Sequence, residues 1–276
     1  MKMCMPRVVA YLIMPAIAGL SACQKELSND QLAPTCLVSK FSASAGPDLV
    51  EEVLINYDAV TNKPTTITHS LPDVGETRNL LPLYSRDTVF LGGGTFVVLD
   101  AGGRITHLRE VTGLSNIADG DYYYTYNATN GTLAERIYDD GSAGPVERTR
   151  YIFTNDSLTR IEQDINGIAN ALIITLTYNN SSRLHGFAEY QYADFFPELI
   201  PYWSLLKLGR LPAWPLANSL YTVNIPPAPA FTLAIPFNGF TQTQPDGLLK
   251  SYSNTITVPG SGSTTYNYVL EYNCNP

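Results

Sequence analysis

Side chains that could do chemistry are few in this chain and lie far apart along it. The three histidines, His69, His107 and His185, fall in different segments. No histidines, cysteines or serines have the spacing of a zinc site, a redox motif or a nucleophile elbow. Two carboxylates suffice for glycoside hydrolysis, but nothing selects a pair among Asp119, Asp121, Glu135, Asp139 and Asp140. The sequence therefore predicts no catalytic residue, no metal site and no cofactor, and it favours a protein that is not an enzyme.

Two short acidic segments, residues 119–121 and 139–141, could instead supply oxygen ligands to a calcium ion. Both lack the regularly spaced oxygen ligands and the distal glutamate of a calcium-binding loop. Asp and Gly are common in turns, because Asp bonds its own backbone and Gly accepts positive φ. We therefore predict turns at both segments. A further turn is predicted at Gly92-Gly93-Gly94, where no nucleophile motif supports an oxyanion loop.

A segment rich in proline and aromatic residues is the remaining candidate site. Eight of the 19 prolines lie between Pro197 and Pro236. Residues 195–208 are apolar nearly all round, which is typical of a buried or interfacial segment. Two interpretations stay open: a cap over one end of a sheet, or an exposed platform for a ligand, a partner or the membrane surface. The platform would consist of Phe196, Tyr202, Trp203 and Trp214.

Most of the chain outside this segment has the pattern of β-hairpins. Four stretches combine an apolar run, a polar turn and a second apolar run: 96–108, 124–137, 151–161 and 176–187. Period-two alternation within the runs puts one set of side chains on a core face and the other set in water. One residue per stretch recurs about every 25–27 positions, which marks a repeated supersecondary unit. These residues are Leu99, Tyr126, Phe153 and Tyr178.

Composition and pattern together define the expected fold. Charged residues make up 15% of the chain and the net charge is −8. Without a run of Lys and Arg, this acidic balance argues against a nucleic-acid partner. We predict an all-β protein, an antiparallel up-and-down meander curled into a partial or closed barrel. It would form a single domain over residues 36–276, with a short proline-rich helical insertion around 194–236.

The N-terminus predicts export and a lipid anchor. Residues 1–22 read as a signal peptide, because Lys2 and Arg7 precede an apolar run too short to span a bilayer. The sequence Leu20-Ser21-Ala22-Cys23 resembles a bacterial lipobox, which implies cleavage before Cys23 and a lipid on its sulfur. Residues 23–35 are predicted to be a polar tether. The predicted location is the outer membrane, as a lipoprotein on the cell surface or the periplasmic face.

Cys36 and Cys274 lie near opposite ends of the predicted domain. An exported compartment permits disulfides, and a meander whose first and last strands meet would bring these two residues together. We predict that they can form a disulfide, with two unpaired cysteines as the alternative.

Several residue groups resemble a known family. They are Tyr57-Asp58, Lys63-Pro64, Leu99-Asp100, Arg104-Ile105 and the tyrosines Tyr126, Tyr178 and Tyr272. With the lipobox, they resemble uncharacterised bacteroidete lipoproteins that carry YD-repeat-like hairpins and a domain of unknown function described as porin-like in fold. The resemblance implies a curled antiparallel meander. It implies no known catalytic residue.

These observations predict a non-enzymatic cell-envelope protein that is attached to the membrane by its N-terminal lipid. It would bind or scaffold an unknown envelope protein or a glycan. The alternatives are a glycan- or peptide-directed hydrolase and a lipid-handling barrel. A hydrolase needs converging carboxylates or a histidine beside a nucleophile. A lipid binder needs a large dry cavity, and a scaffold can present an exposed aromatic patch.

Overall fold

The computed structural model of the protein describes residues 36–111, 118–144, 147–179, 184, 188–209, 211–212, 214–242, 248–258 and 260–274. The predicted signal peptide, Cys23, the tether and His185 lie outside the described residues. Among the described residues, none of the helices has the length and apolar character needed to cross a membrane.

Within these described ranges, seventeen strands form one antiparallel sheet. The first nine are β1 Cys36–Ala45, β2 Asp48–Tyr57, β3 Pro64–Leu71, β4 Glu76–Leu80, β5 Leu83–Ser85, β6 Thr88–Gly92, β7 Thr95–Leu99, β8 Ile105–Glu110 and β9 Gly120–Tyr126. The others are β10 Leu133–Asp139, β11 Glu147–Thr154, β12 Ser157–Ile165, β13 Ile168–Tyr178, β14 Leu216–Val223, β15 Phe231–Gln242, β16 Leu249–Val258 and β17 Gly262–Cys274. Two 3₁₀ helices, Ala188–Phe195 and Pro197–Tyr202, lie between β13 and β14.

The two ends of the meander meet. β1 pairs with β2 on one side and with β17 on the other, in a register that sets Cys36 opposite Cys274. A disulfide joins these two cysteines, with an S–S distance of 2.07 Å. No ladder joins β4 to β5 in the described residues 76–92, where the chain bends through Leu81 and Pro82. The sheet therefore curls into a partial barrel and its ladder stays open at one place.

Period-two alternation sets the two faces of the sheet. In β9, Tyr122 and Tyr124 are buried, whereas Tyr123 is 42% exposed. On the outer face, hydroxyls pair across neighbouring strands, as in Thr255–Thr265 at 3.0 Å and Thr257–Ser263 at 2.8 Å. The apolar set thus packs inside the curled sheet, and a largely polar set faces water.

Six tyrosines in the described residues form the same kind of hydrogen bond. Each donates its hydroxyl proton to a backbone carbonyl 19–23 residues earlier in the chain. The pairs are Tyr57–Val38, Tyr84–Pro64, Tyr126–Ile105, Tyr138–Asp119, Tyr178–Leu158 and Tyr272–Leu249. In the first five pairs the distance is 2.7, 3.0, 2.8, 2.8 and 2.6 Å in that order. The recurring tyrosine therefore places each ring in the core and gives its polar end a fixed partner.

The residue that follows each recurring position shapes the turn. These residues are Asp58 after Tyr57, Asp100 after Leu99 and Asn127 after Tyr126. Asp58, Asp100 and Asn127 each accept a hydrogen bond from the backbone N–H two residues on, at 3.1, 2.8 and 2.9 Å. Such side-chain turns favour the tight reversal that a hairpin needs. Arg104, at the end of one turn, lies over the ring of Tyr126 in the next hairpin, with 4.6 Å to the ring centroid. The repeat therefore links successive hairpins as well as forming each one.

The insertion predicted around 194–236 is misplaced, because Leu216–Val223 and Phe231–Gln242 are strands of the sheet. In the stretch 176–187, Leu176–Tyr178 belong to β13, which pairs with β14, and residues 180–183 and 185–187 lie outside the described residues. Tyr190 and Tyr192 lie in the first 3₁₀ helix. The interruption thus lies between Tyr178 and Leu216.

Residues 188–209, here called the plug, lie within the curl of the sheet. Tyr190, Phe196 and Tyr202 have at most 1% of their surface exposed. The ring of Tyr190 lies 5.5 Å from that of Phe41 on β1, and the ring of Phe196 lies 5.2 Å from that of Tyr151 on β11. Because these strands are far apart in the meander, a segment that contacts both must occupy the interior.

Candidate functional site

The platform predicted at the proline-rich segment is wrong at three of its four positions. Phe196, Tyr202 and Trp203 are buried in the core. The ring of Trp203 packs edge-on against Tyr190, with 4.8 Å between centroids. Trp214 is half-buried. An apolar segment can be buried or can form an interface, and here the curled sheet supplies the surface that covers it.

One buried ion pair joins the plug to β10. Glu198 of the plug accepts hydrogen bonds from Arg136 at 2.8 Å and from the hydroxyl of Tyr124 at 2.9 Å. The Arg136 guanidinium also donates to Thr149 at 3.1 Å. Burial, and then the charge of Glu198, raise the pKa of Tyr124 well above its usual range. Tyr124 therefore stays protonated and remains a donor.

In a second contact the roles are reversed: the carboxylate belongs to the sheet and the tyrosine hydroxyl belongs to the plug. Glu110 of β8 accepts from Arg78 at 2.7 Å and from the hydroxyl of Tyr202. Thr95 receives a hydrogen bond from the same guanidinium at 2.9 Å. Burial raises the pKa of Glu110, while the nearby positive charge of Arg78 opposes the rise. The charges are thus paired and hydrogen-bonded, as buried ions must be to be tolerated.

A third contact joins the plug to β16 and β17. Asp194 accepts from the amide of Asn254 at 2.5 Å and from the hydroxyl of Tyr268 at 2.7 Å. No lysine or arginine in the described part of the chain forms an ion pair with it. Burial, opposed by the Tyr268 hydrogen bond, raises the pKa of Asp194 to about 6. The charge of Glu51 adds to this rise.

The other carboxylates considered from the sequence have structural partners. Asp139 and Asp140 accept backbone N–H bonds at 2.8 Å from Gly141 and Ser142, which confirms a turn there. Glu135 pairs with Arg148 at 3.1 Å on the outer face. The described residues contain no group of three or more His, Cys, Asp or Glu side chains that could hold a metal ion.

The outer face carries an exposed apolar row that the sequence reading missed. It runs across β5 to β9 and is here called the outer row. Strand pairing places its members in succession, since Leu83 faces Phe90, Phe90 faces Phe96, and His107 faces Tyr123. Leu83 is 67% exposed and Phe90 46% exposed. Four interstrand steps give the row a length of about 19 Å.

The rings of the outer row contact one another. Phe96 lies edge-on to His107, with 5.1 Å between centroids, and His107 stacks on Tyr123 at 4.5 Å. A charged group borders them: Asp121 accepts from His107 at 2.7 Å and from Arg109 at 2.6 Å. The row thus combines rigid aromatic surface with hydrogen-bonding groups held in place by a shared carboxylate.

A signal for this row was present in the sequence. In the β6, β7 and β9 strands, Phe90, Phe96 and Tyr123 occupy alternate positions that face away from the buried residues. An apolar ring at an outward position departs from a pattern in which Ser and Thr otherwise face water. Their union into one row depends on the register of five strands, which the sequence alone does not provide.

Two solved structures resemble this one in fold. A porin-like protein from Bacteroides uniformis is 14% identical with a TM-score of 0.55, and the alignment covers 85% of this chain and 98% of that one. A porin-like protein from Bacteroides vulgatus is 14% identical with a TM-score of 0.50, covering 86% and 98%. At this identity the likeness shows the fold alone. Neither the family models nor the curated proteins compared with the chain match it.

Proposed function

We propose that this chain is a non-enzymatic domain that binds a protein partner through the outer row. The observation that supports this is the row itself: the exposed rings of Phe90 and Tyr123 are linked across the sheet by Phe96 and His107. Arg109 is held beside Tyr123 by its ion pair with Asp121. Exposed apolar surface that is contiguous marks interaction sites. Aromatic residues and Arg are also the side chains enriched at the centres of protein interfaces.

The distribution of polarity favours a domain that works in water over a pore. A barrel that spans a membrane turns an apolar band outward and a polar lining inward. Here the plug and the apolar set fill the inside. The outer face carries ion pairs such as Arg150–Asp164 at 2.8 Å and Lys40–Glu52 at 2.8 Å. The proposal therefore gives the sheet the role of a rigid support for the outer row.

A protein fits the outer row better than a glycan. Sugar rings stack on the flat faces of aromatic side chains, but His107 and Tyr123 cover one face of each other. The charges of Arg109 and Asp121 lie beside these two rings, and the aliphatic side chain of Leu83 lies at the other end of the row. An apolar strip bordered by a charge pair is the composition of a protein interface.

We further propose that the protein is an envelope lipoprotein with YD-repeat-like hairpins. The lipobox resemblance at Cys23 supports the lipid, and the recurring tyrosine bonds and side-chain turns support the repeat. Cells that express the wild type and the Cys23→Ala variant can be fed a labelled fatty acid. The proposal expects label on the wild type and none on the variant. Label on neither protein would contradict it.

The binding proposal is tested by capture from the native envelope with the tagged chain. We compare the wild type with Phe90→Ala/Tyr123→Ala. The matched control is Leu220→Ala/Val269→Ala, which trims exposed apolar residues of similar accessibility on other strands. We expect one protein to be retained by the wild type and the control, and a loss of at least about tenfold in affinity for the row variant, since an interface hot spot contributes 2 kcal/mol or more.

Three other results would overturn the proposal. The same protein could be retained equally by the row variant. A purified glycan, rather than a protein, could bind the wild type and fail to bind the row variant. Turnover of a glycan or peptide by the purified chain, abolished by a carboxylate variant, would replace binding with hydrolysis.

A further inference from the structure

The turn between β14 and β15 presents seven apolar residues in succession, and all of them are exposed. Residues 225–231, here called the hairpin tip, read Ile-Pro-Pro-Ala-Pro-Ala-Phe. Ile225 is 39% exposed and Phe231 57% exposed. The tip is held at both ends, because Asn224 donates its backbone N–H to Ala171 of β13 at 2.8 Å and the β14–β15 ladder extends to Phe231. An exposed apolar run of this length on a held hairpin indicates a binding role.

The backbone of the hairpin tip is suited to leaving water. Pro226, Pro227 and Pro229 have no backbone N–H, and no side chain from Ile225 to Phe231 can form a hydrogen bond. A donor that enters an apolar medium without a partner costs free energy. The tip therefore loses fewer hydrogen bonds in an apolar environment than an ordinary loop of the same length.

The strands around the hairpin tip are almost free of charge. No Asp, Glu, Lys or Arg occurs in residues 165–182, 211–245 or 251–270. Strands β13, β14 and β15 therefore have no charged residue, and β16 and β17 have one each, Lys250 and Glu271. The antiparallel order places both charges near the ends of their strands that are remote from the tip. A charge brought close to a low-dielectric medium raises the free energy, and this part of the sheet brings none.

Aliphatic side chains widen the apolar surface on either side of the hairpin tip. Val258, at the end of β16, is 46% exposed, and Ile165 pairs with Ile168 at the β12–β13 turn. The other turns and strand ends at this end of the sheet carry acidic residues instead: Asp48, Asp73, Asp119 and Asp140. The apolar surface is thus confined to one side of this end of the sheet.

These properties fit a lipid surface better than a protein partner. A protein interface has about one hydrogen bond per 100–200 Å² and a polar rim, whereas the side chains of the tip offer no donor or acceptor. A bilayer surface needs an apolar tip with a polar boundary, and here Asn224 and Thr232 flank the seven apolar residues. Because the tip has no Lys or Arg and the net charge of the chain is −8, anionic headgroups would not attract it. The chemistry therefore selects a surface of zwitterionic lipids.

We propose that the hairpin tip inserts into the boundary between the headgroups and the acyl chains of a bilayer of zwitterionic lipids. The apolar side chains of residues 225–231 exchange their contacts with water for contacts with lipid. The contact is interfacial and needs no strand to cross the bilayer. It is independent of the outer row, which lies on β5 to β9.

Vesicles of phosphatidylcholine that include a phosphatidylcholine with a diazirine in its acyl chain test the proposal with the full chain. After illumination and proteolysis, mass spectrometry locates the lipid adducts, which we expect in residues 225–231. Ile225→Ser/Phe231→Ser should lower their yield at least about tenfold, since fully burying one such side chain contributes a factor of ten or more. The matched control Leu83→Ser/Phe90→Ser makes the same changes at exposed positions of the outer row and should leave the yield at the tip unchanged.

Ala228→Asp is the second variant, because it adds a charge at an exposed position and removes no packing. It should also lower the adduct yield at the tip, and it decides the test if the double variant fails to fold. The absence of adducts at residues 225–231, or a yield that both tip variants leave unchanged, would overturn the proposal. So would capture of a protein that depends on Ile225 and Phe231 while no lipid adduct forms, because the tip would then be a protein-docking surface.

Discussion

Replacing Arg136 with methionine should lower the free energy of unfolding by about 3–5 kcal/mol. The guanidinium lies 2.8 Å from Glu198, whose side chain is 3% exposed. Without Arg136, Glu198 keeps the hydroxyl of Tyr124 but has no cation beside it. A buried charge left without its partner accounts for the size of the loss. For a domain of this length the melting temperature should fall by about 10 °C.

The double variant Arg136→Met/Glu198→Leu tests the reason for this loss. Removing both charges together leaves an apolar pair of similar volume, which is often neutral or stabilising at buried sites. We expect the double variant to recover most of the stability, so that the coupling energy in the double-mutant cycle is about 2–3 kcal/mol. Arg148→Met is the matched control, because its pair with Glu135 is partly exposed and should contribute less than about 1 kcal/mol.

Urea unfolding followed by far-UV circular dichroism and tyrosine fluorescence measures five proteins: the wild type, Arg136→Met, Glu198→Leu, the double variant and Arg148→Met. A loss below about 1 kcal/mol in Arg136→Met would refute the reasoning. So would a double variant as unstable as the sum of the single variants, because the plug would then not depend on this pair.

Two further stability predictions concern Asp194 and the repeated tyrosines. Burial raises the pKa of Asp194 to about 6, above its usual 3.8, so the folded state disfavours the ionised form. The free energy of unfolding of the wild type should therefore rise as pH falls from 7 to 5. Urea unfolding at both pH values should show a smaller rise for Asp194→Asn, and an equal rise in the two proteins would contradict the prediction. Tyr126→Phe removes the hydrogen bond to Ile105 and should lower the free energy of unfolding by about 1 kcal/mol. The control Tyr123→Phe, at an outward-facing position, should lower it by less than about 0.5 kcal/mol. Equal effects of the two changes would argue against a contribution from the tyrosine hydrogen bond.

Much of the fold could be predicted because alternation is a local property. The inward positions of Tyr122 and Tyr124 follow from their spacing, and the turn at Asp100 follows from its residue types. The meeting of Cys36 and Cys274 follows from a meander whose ends pair. Each of these depends on a few adjacent residues and on one general rule of sheets.

The plug could not be predicted because its composition fits two environments. An apolar segment with prolines can be covered by the sheet or can cover a partner, and only the curvature of seventeen strands decides. The polar residues of the segment were the missed signal. Asp194 and Glu198 lie in or beside the apolar segment, and a buried carboxylate there needs a hydrogen-bond partner on the sheet.

Strand β14 was missed for a related reason. Pro212 and Pro215 precede Leu216–Val223, and prolines follow it at Pro226 and Pro227. Prolines at strand ends look the same in sequence as prolines that exclude a strand. Strands β13 and β14 pair although the plug lies between them in the sequence, so the local residue pattern does not reveal their pairing.

The most direct test of the central claim is site-specific photo-crosslinking in the living cell. A photoreactive phenylalanine analogue at Leu83 would sit at the end of the outer row, and the same analogue at Leu220 would sit on another outer strand as a control. The account predicts a single protein adduct at position 83 and none at 220. Adducts of equal yield at both positions, or at 220 alone, would show that the outer row is not the binding surface.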